Sequence, residues 1–171
     1  MMETIAIYWE PIIKTYGLFR SRGLVLLSKL IPPEALADVG RRLADGGFER
    51  QPEIALISAA AASDGSLRLS VVVHPDVTGS LSAFDTLWKQ IAAIDEASRT
   101  VDLLYFQGPH FGDRFGIAHA VQSDLACIGL IPLLLVCSAS SVYIVLPSGT
   151  LDRAAAALSR SFQHPSDDVT P

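Results

Sequence analysis

Pro33-Glu34-Ala35-Leu36-Ala37-Asp38-Val39-Gly40-Arg41-Arg42-Leu43-Ala44-Asp45-Gly46-Gly47 decides the fold, because its pattern occurs twice in the chain. Leu36, Val39 and Leu43 recur at helical spacing, Pro33 suits a first helical turn, and the glycine pair is a C-terminal stop. From Phe115 to Gly129 the same pattern returns, with Ile117, Val121, Leu125 and Ile128 on one helical face and Gly129 at its end. Val39 matches Val121, Leu43 matches Leu125 and Gly47 matches Gly129 at one constant offset. An internal repeat constrains architecture before any local detail does.

The flanks of the two helices correspond as well. Leu24 to Leu30 precedes the first helix as a strand, and Val101 to Phe106 precedes the second. Ile54 to Ala59 parallels Leu133 to Ala139 as a buried strand, and Leu67 to Val73 parallels Val142 to Leu146. A polar turn joins the strands each time, Ser63-Asp64-Gly65-Ser66 in one copy and Ser138-Ala139-Ser140-Ser141 in the other. A second helix then follows a polar cap. After Ser80 its apolar face is Leu81, Phe84, Leu87, Trp88 and Ile91; after Thr150 it is Leu151, Ala154, Ala155, Leu158 and Phe162. Each copy therefore reads β-α-β-β-α. The predicted organisation is a first unit over residues 1–98 with an extra N-terminal strand, a second unit over 99–163, and a flexible tail over 164–171. The extended segment Ile5 to Trp9, continuing through Ile12-Ile13 and bent at Pro11, is the candidate fourth strand for whichever unit lacks one.

Such units are α+β and ferredoxin-like: an antiparallel sheet with two helices on one face and the other face open. Two side by side leave an apolar face, and the composition agrees. Half of the 171 residues are hydrophobic but only 18% are charged, below the usual quarter, so burial between copies in a homodimer is expected. A net charge of -5 and the thin basic stretch Arg20-Ser21-Arg22 argue against nucleic acid as a partner. The uncharged run Leu125 to Thr150 is broken by Gly129, Pro132 and Ser138 to Ser141, and falls short of the roughly 20 apolar residues of a membrane span. Cys127 and Cys137 sit in apolar runs and read as core thiols of a reducing cytoplasm. Met1 to Ile5 carries no basic n-region, so no signal peptide is expected.

One loop carries candidate chemistry: Gln107-Gly108-Pro109-His110-Phe111-Gly112-Asp113-Arg114-Phe115-Gly116-Ile117-Ala118, between a strand and a helix. Its glycines allow close backbone approach, Asp113 is placed at or near a helix N-cap, and the N–H groups of the first turn can receive a carboxylate. Two readings stand side by side. In one, Asp113 caps the helix, Arg114 is a solvated charge and the glycines make a turn. In the other, His110, Phe111, Gly112, Asp113, Arg114, Phe115, Gly116, Ile117 and Ala118 close around an anionic or zwitterionic small molecule.

The segment Gly112-Asp113-Arg114-Phe115-Gly116-Ile117-Ala118 resembles the Asp-Arg-Pro-Gly-Ile/Val turn of the ACT domain family, and the β-α-β-β-α order of both copies fits it. Pro11-Ile12-Ile13-Lys14-Thr15-Tyr16-Gly17 is similar to the strand that opens such modules. The tandem arrangement is similar to the regulatory region of aspartate kinases. The resemblance implies a bacterial, allosteric metabolite sensor that pairs its units into an eight-stranded sheet and binds an amino acid near the turn. Phe115 stands where proline is common, and Leu30-Ile31-Pro32-Pro33-Glu34-Ala35 has neither glycine nor aspartate at the matching positions. Ligand binding is therefore expected at the loop of the second copy.

No residue set nominates a reaction. His110, Asp113 and His119 lack a clear metal-ligand spacing, and His119 is expected on the exposed side of its helix. Cys127 beside Ile128 reads as structural, and neither a phosphate loop nor a CxxC is present. The expectation is a non-enzymatic module without cofactor or metal. Its rival is a ligand-free protein–protein interaction or dimerisation module.

Overall fold

A computed structural model describes residues 12–45, 53–75, 86, 88–91, 93, 95–109 and 111–165. The chain divides into two compact units, one of residues 23–101 and the other of residues 1–22 with 102–171. The division falls inside two long strands, β2 (Gly17–Ile31) and β5 (Asp95–Gln107). Among the described residues, 12–22 group with the C-terminal unit. A continuous strand has no turn signal at such a crossing point, so periodicity alone does not mark it.

In the unit of residues 23–101, β2 is followed by α1 (Leu36–Asp45), β3 (Ile54–Ala61), β4 (Leu67–Val73), helical residues at 86 and 88–90, and β5. The strand order is β3-β4-β2-β5. β4 lies antiparallel to both neighbours, with Val71 opposite Leu27 on one side and Ile57 on the other. The Ser63–Ser66 turn is an Asx turn: Gly65 has φ 84°, and the Ser66 N–H donates to Asp64 Oδ1 at 3.0 Å. Leu27, Ile31, Leu69, Val71 and Val73 face Val39, Trp88 and Ile91, so the helices cover one sheet face. Leu36 departs from the expected apolar stripe. Pro33–Ala35 forms a 3₁₀ turn ahead of α1 and leaves Leu36 40% exposed. Leu81, Phe84 and Leu87, together with Gly46 and Gly47, lie outside the described residues.

In the other unit, β5 leads through a 3₁₀ turn (Phe111–Asp113) into α2 (Ile117–Ala126), then β6 (Leu134–Cys137), β7 (Ser141–Pro147), α3 (Leu151–Leu158) and β8 (Phe162–Gln163). Leu104 and Phe106 of β5 and Val142, Ile144 and Leu146 of β7 point to one face, where they pack on Ile117, Val121 and Leu125 of α2 and Ala154, Ala155 and Leu158 of α3. The alternate residues form a ring ladder on the opposite face. Phe19 of β2 stacks on Tyr105 at 4.5 Å, and Tyr105 on Tyr143 at 5.3 Å. The fourth strand of this unit is thus the front of β2, residues 17–22. Ile13–Lys14, here β1, pairs parallel with β8 instead.

Local chemistry corrects several expectations. Phe162 is not on the last helix; α3 ends at Leu158, and Phe162 reaches the core from β8. The Thr150 hydroxyl does not cap α3 but donates back to the Pro147 carbonyl at 2.7 Å. The expected frayed tail begins in ordered structure, with Gln163 in β8 and His164 bonded to Thr15; residues 166–171 lie outside the described ones. β6 is a half-buried edge strand, not a buried one. Both cysteines are exposed, contrary to the core placement expected of apolar runs. Cys127 is the C-cap of α2, and Cys137 ends the edge strand. Desolvation still pushes the Cys137 thiol above its ordinary pKa.

The Gly129 stop is confirmed in detail. Gly129 has φ 67°, its N–H donates to Ala126 O, and the Leu130 N–H donates to Leu125 O, which is a Schellman closure. Gly129→Ala puts a Cβ into a left-handed backbone at a cost of roughly 1–2 kcal/mol. Chemical denaturation should show that loss with an unchanged m-value. A thiol-labelling time course at mildly alkaline pH should modify both cysteines in the native protein, Cys137 more slowly. A cysteine silent until denaturant is added would contradict the placement.

Candidate functional site

The loop after β5 is held from behind by packing rather than by hydrogen bonds alone. Phe106 is fully buried at the end of β5, and the Phe111 ring meets it edge-on, with centroids 6.0 Å apart and planes at 85°. To bring Phe111 back onto the core, the backbone at Gly108 passes directly under its ring. A Cβ there would lie 2.0 Å from Phe111 Cε1 and 2.8 Å from the Lys14 carbonyl oxygen. Gly108 also donates its N–H to Ser140 O at 3.3 Å. Gly112 rests on the same turn, where an added Cβ would sit 3.2 Å from the Ala139 carbonyl. The loop is therefore seated between β1 and the β6–β7 turn.

Its exposed side is different in character. Phe115 is 100% exposed, Gly112, Gly116 and Ala118 are exposed, and Arg114 is half-buried. Arg114 also donates its backbone N–H to Phe111 O at 3.4 Å. Phe111 and Ile117 belong to the core and so shape the loop from within. Asp113 is not the N-cap of α2. The backbone makes a 3₁₀ turn at 111–113, and the N-cap is Gly116, with φ 86° and no side chain to bond the first turn. α2 opens with the Ala120 N–H donating to Gly116 O at 2.9 Å. Its first turn thus presents backbone N–H groups at the partial positive end of the helix dipole without a side-chain cap. His110 and the Asp113 side chain lie outside the described residues. His119 is exposed on α2, 3.4 Å from Ser123 Oγ.

The structure adds residues that the sequence did not nominate: the Lys14 carbonyl, Thr15, the Ala139–Ser140 backbone and His164. The Thr15 hydroxyl lies 2.7 Å from His164 Nδ1, although the two are 149 positions apart. No local motif marks a pair so distant. At the matching connection of the first copy, Pro32 is extended, and Pro33 opens a 3₁₀ turn with no side-chain cap. Among the described residues no group of three or more His, Cys, Asp or Glu side chains is gathered in a way that could hold a metal. No described helix is long and apolar enough to cross a membrane.

Because Gly108 has no room for a methyl, Gly108→Ala must displace the buried Phe111 ring or the Lys14 carbonyl. Overpacking of this kind costs about 1–3 kcal/mol. A loss of unfolding free energy of that size, read as a lowered denaturation midpoint at constant m-value, is the expected result, and an unchanged midpoint would refute the seating described.

No protein-family model matches the chain, and no curated protein matches it in sequence. Solved structures do match in fold. The regulatory subunit of aspartate kinase from Thermus flavus superposes with a TM-score of 0.68 at 16% identity, covering 86% of this chain and 97% of that one. Aspartate kinase from Clostridium acetobutylicum gives a TM-score of 0.71 at 10% identity, over 92% of this chain but only 37% of the kinase. The Synechocystis enzyme gives 0.67 at 20% identity, over 85% of this chain and 26% of its own. The chain thus shares the fold of the regulatory subunit of aspartate kinase, which it matches over nearly that subunit's whole length.

Proposed function

We propose that this chain is a regulatory module that binds a small molecule, an amino acid, at the loop from His110 to Ala118, and that it works as a cytoplasmic homodimer without catalysing a reaction. One observation carries the reading: the helix entered from this loop opens at a glycine, Gly116, that supplies no side-chain cap to its first-turn N–H groups, two residues after Arg114 in a loop whose Gly112 and Gly116 are exposed. Backbone donors at a helix N-terminus next to a guanidinium suit a carboxylate. Asp113, one residue before Arg114, supplies the carboxylate that an ammonium group would need. The ligand is thereby zwitterionic. The fully exposed Phe115 supports the same reading, because an aromatic ring held in water gains from covering a ligand or a second subunit.

The likeness to the regulatory subunit of the Thermus enzyme, matched over 97% of its length, supports a regulatory rather than a catalytic role. A ligand-free interaction module remains the competing reading, with the Phe19–Tyr105–Tyr143 face as its docking surface.

A thermal-shift screen against the twenty amino acids separates the two. At a ligand concentration of about 100 times Kd, binding stabilises the fold by ~2.7 kcal/mol. The expected outcome is a shift with one or a few amino acids that Asp113→Ala and Arg114→Ala each abolish. A flat screen, or a shift that survives both substitutions, rejects the loop as the site.

A further inference from the structure

We propose that residues 12–16 form a strap whose docking on β8 is coupled to Gly108 and Phe111 of the loop after β5, so that a change at those two residues alters how firmly the strap is held. The strap is defined by three backbone bonds: the Ile13 N–H to Ser161 O at 2.8 Å, the Thr15 N–H to Gln163 O at 3.0 Å, and the Tyr16 N–H to Gln107 O at 2.8 Å. The first two tie it to β8 and its preceding turn, and the third ties it to the end of β5. Two residues of pairing with β8 are too short a ladder to hold by themselves. Thr15 and His164 add a side-chain bond, and Ile13 adds its burial in the core.

The same strap forms one wall of the loop. The Lys14 carbonyl and the Phe111 ring close on Gly108 from two sides, with no space left for a methyl. Phe111 in turn packs on Phe106, which lies 4.8 Å from Phe162 of β8 and 5.9 Å from the His164 ring. A ring contact chain thus runs from the loop to both partners of the strap. Packed aromatic contacts do not deform continuously, so displacing Phe111 shifts what rests on Phe106. Energetic coupling between two elements is mutual, so loosening the strap must also loosen the loop.

The proposal rests on the sensing reading only for what moves the loop; the coupling itself is a property of the ligand-free chain. It is tested by amide hydrogen exchange on the full chain without ligand. Phe111→Leu keeps an apolar side chain and should speed exchange at Ile13, Thr15 and Tyr16 by about tenfold while amides of the central strand β7 stay within about twofold. Thr15→Val removes the hydroxyl without changing volume and should speed exchange at Gly108 and Arg114, whose N–H groups bond to Ser140 O and Phe111 O. If either variant acts only on its own element, or if the β7 amides speed up equally, the coupling is refuted. A flat amino-acid screen leaves this result untouched, and a failed exchange test leaves the sensing reading standing.

Discussion

Phe106 is the residue on which the parts of the C-terminal unit meet. It has no exposed surface, and the rings of Phe111, Phe162 and His164 all lie within 6.0 Å of its centroid. Burying a phenylalanine contributes about 2–3 kcal/mol, and each favourable ring pair adds about 0.5–1.5. Alternation along β5 sends Leu104 and Phe106 under the helices and Tyr105 to the opposite face. The chain must then turn at once if Phe111 is to return to the same core. Gly108 permits that turn, and the exposure of Gly112, Phe115 and Gly116 follows from it. The candidate site is thus what remains outside after the aromatic core has closed.

The other unit meets its internal demands differently. Lys29 is 2% exposed, which is costly for an ammonium unless its charge and donors are matched. Its Nζ donates to the Ile91 carbonyl at 2.9 Å, lies 3.3 Å from Glu96 Oε2, and sits over the Trp88 ring at 5.5 Å. These groups serve the fold, with the lysine near the carbonyl end of a helical segment where a cation is favoured. Where the C-terminal unit has its glycine loop, this unit has Pro32 and Pro33, which set an extended residue and a 3₁₀ turn. Two copies of one frame have therefore diverged at the same connection, one toward rigidity and the other toward an open backbone.

Strands with strong alternation or β-branched runs were legible to the residue, as Leu67–Val73 shows. So was the Gly129 stop, because a left-handed residue after an apolar helical stripe is a local requirement. Helix starts were less legible. Asp113 and Thr150 are cap residues by type, yet Gly116 begins α2, and the Thr150 hydroxyl turns back to Pro147. A polar side chain can bond any nearby carbonyl or N–H, and only the path of the loop selects which. The cysteines went the same way: an apolar neighbourhood in sequence does not say which side of a strand or helix end faces water.

The repeat, the order of elements, the one-sided helical cover and the special loop after the fifth strand were determined by the sequence alone. All of these depend on periodicity and on residues with unusual backbone requirements, which act within a few positions. Tertiary structure alone decided that residues 17–22 complete the C-terminal unit, that the division falls inside β2 and β5, and that Thr15 meets His164. Those outcomes depend on which apolar faces find each other across the length of the chain. Burial is non-directional and carries no label of its partner, so no local pattern announces it.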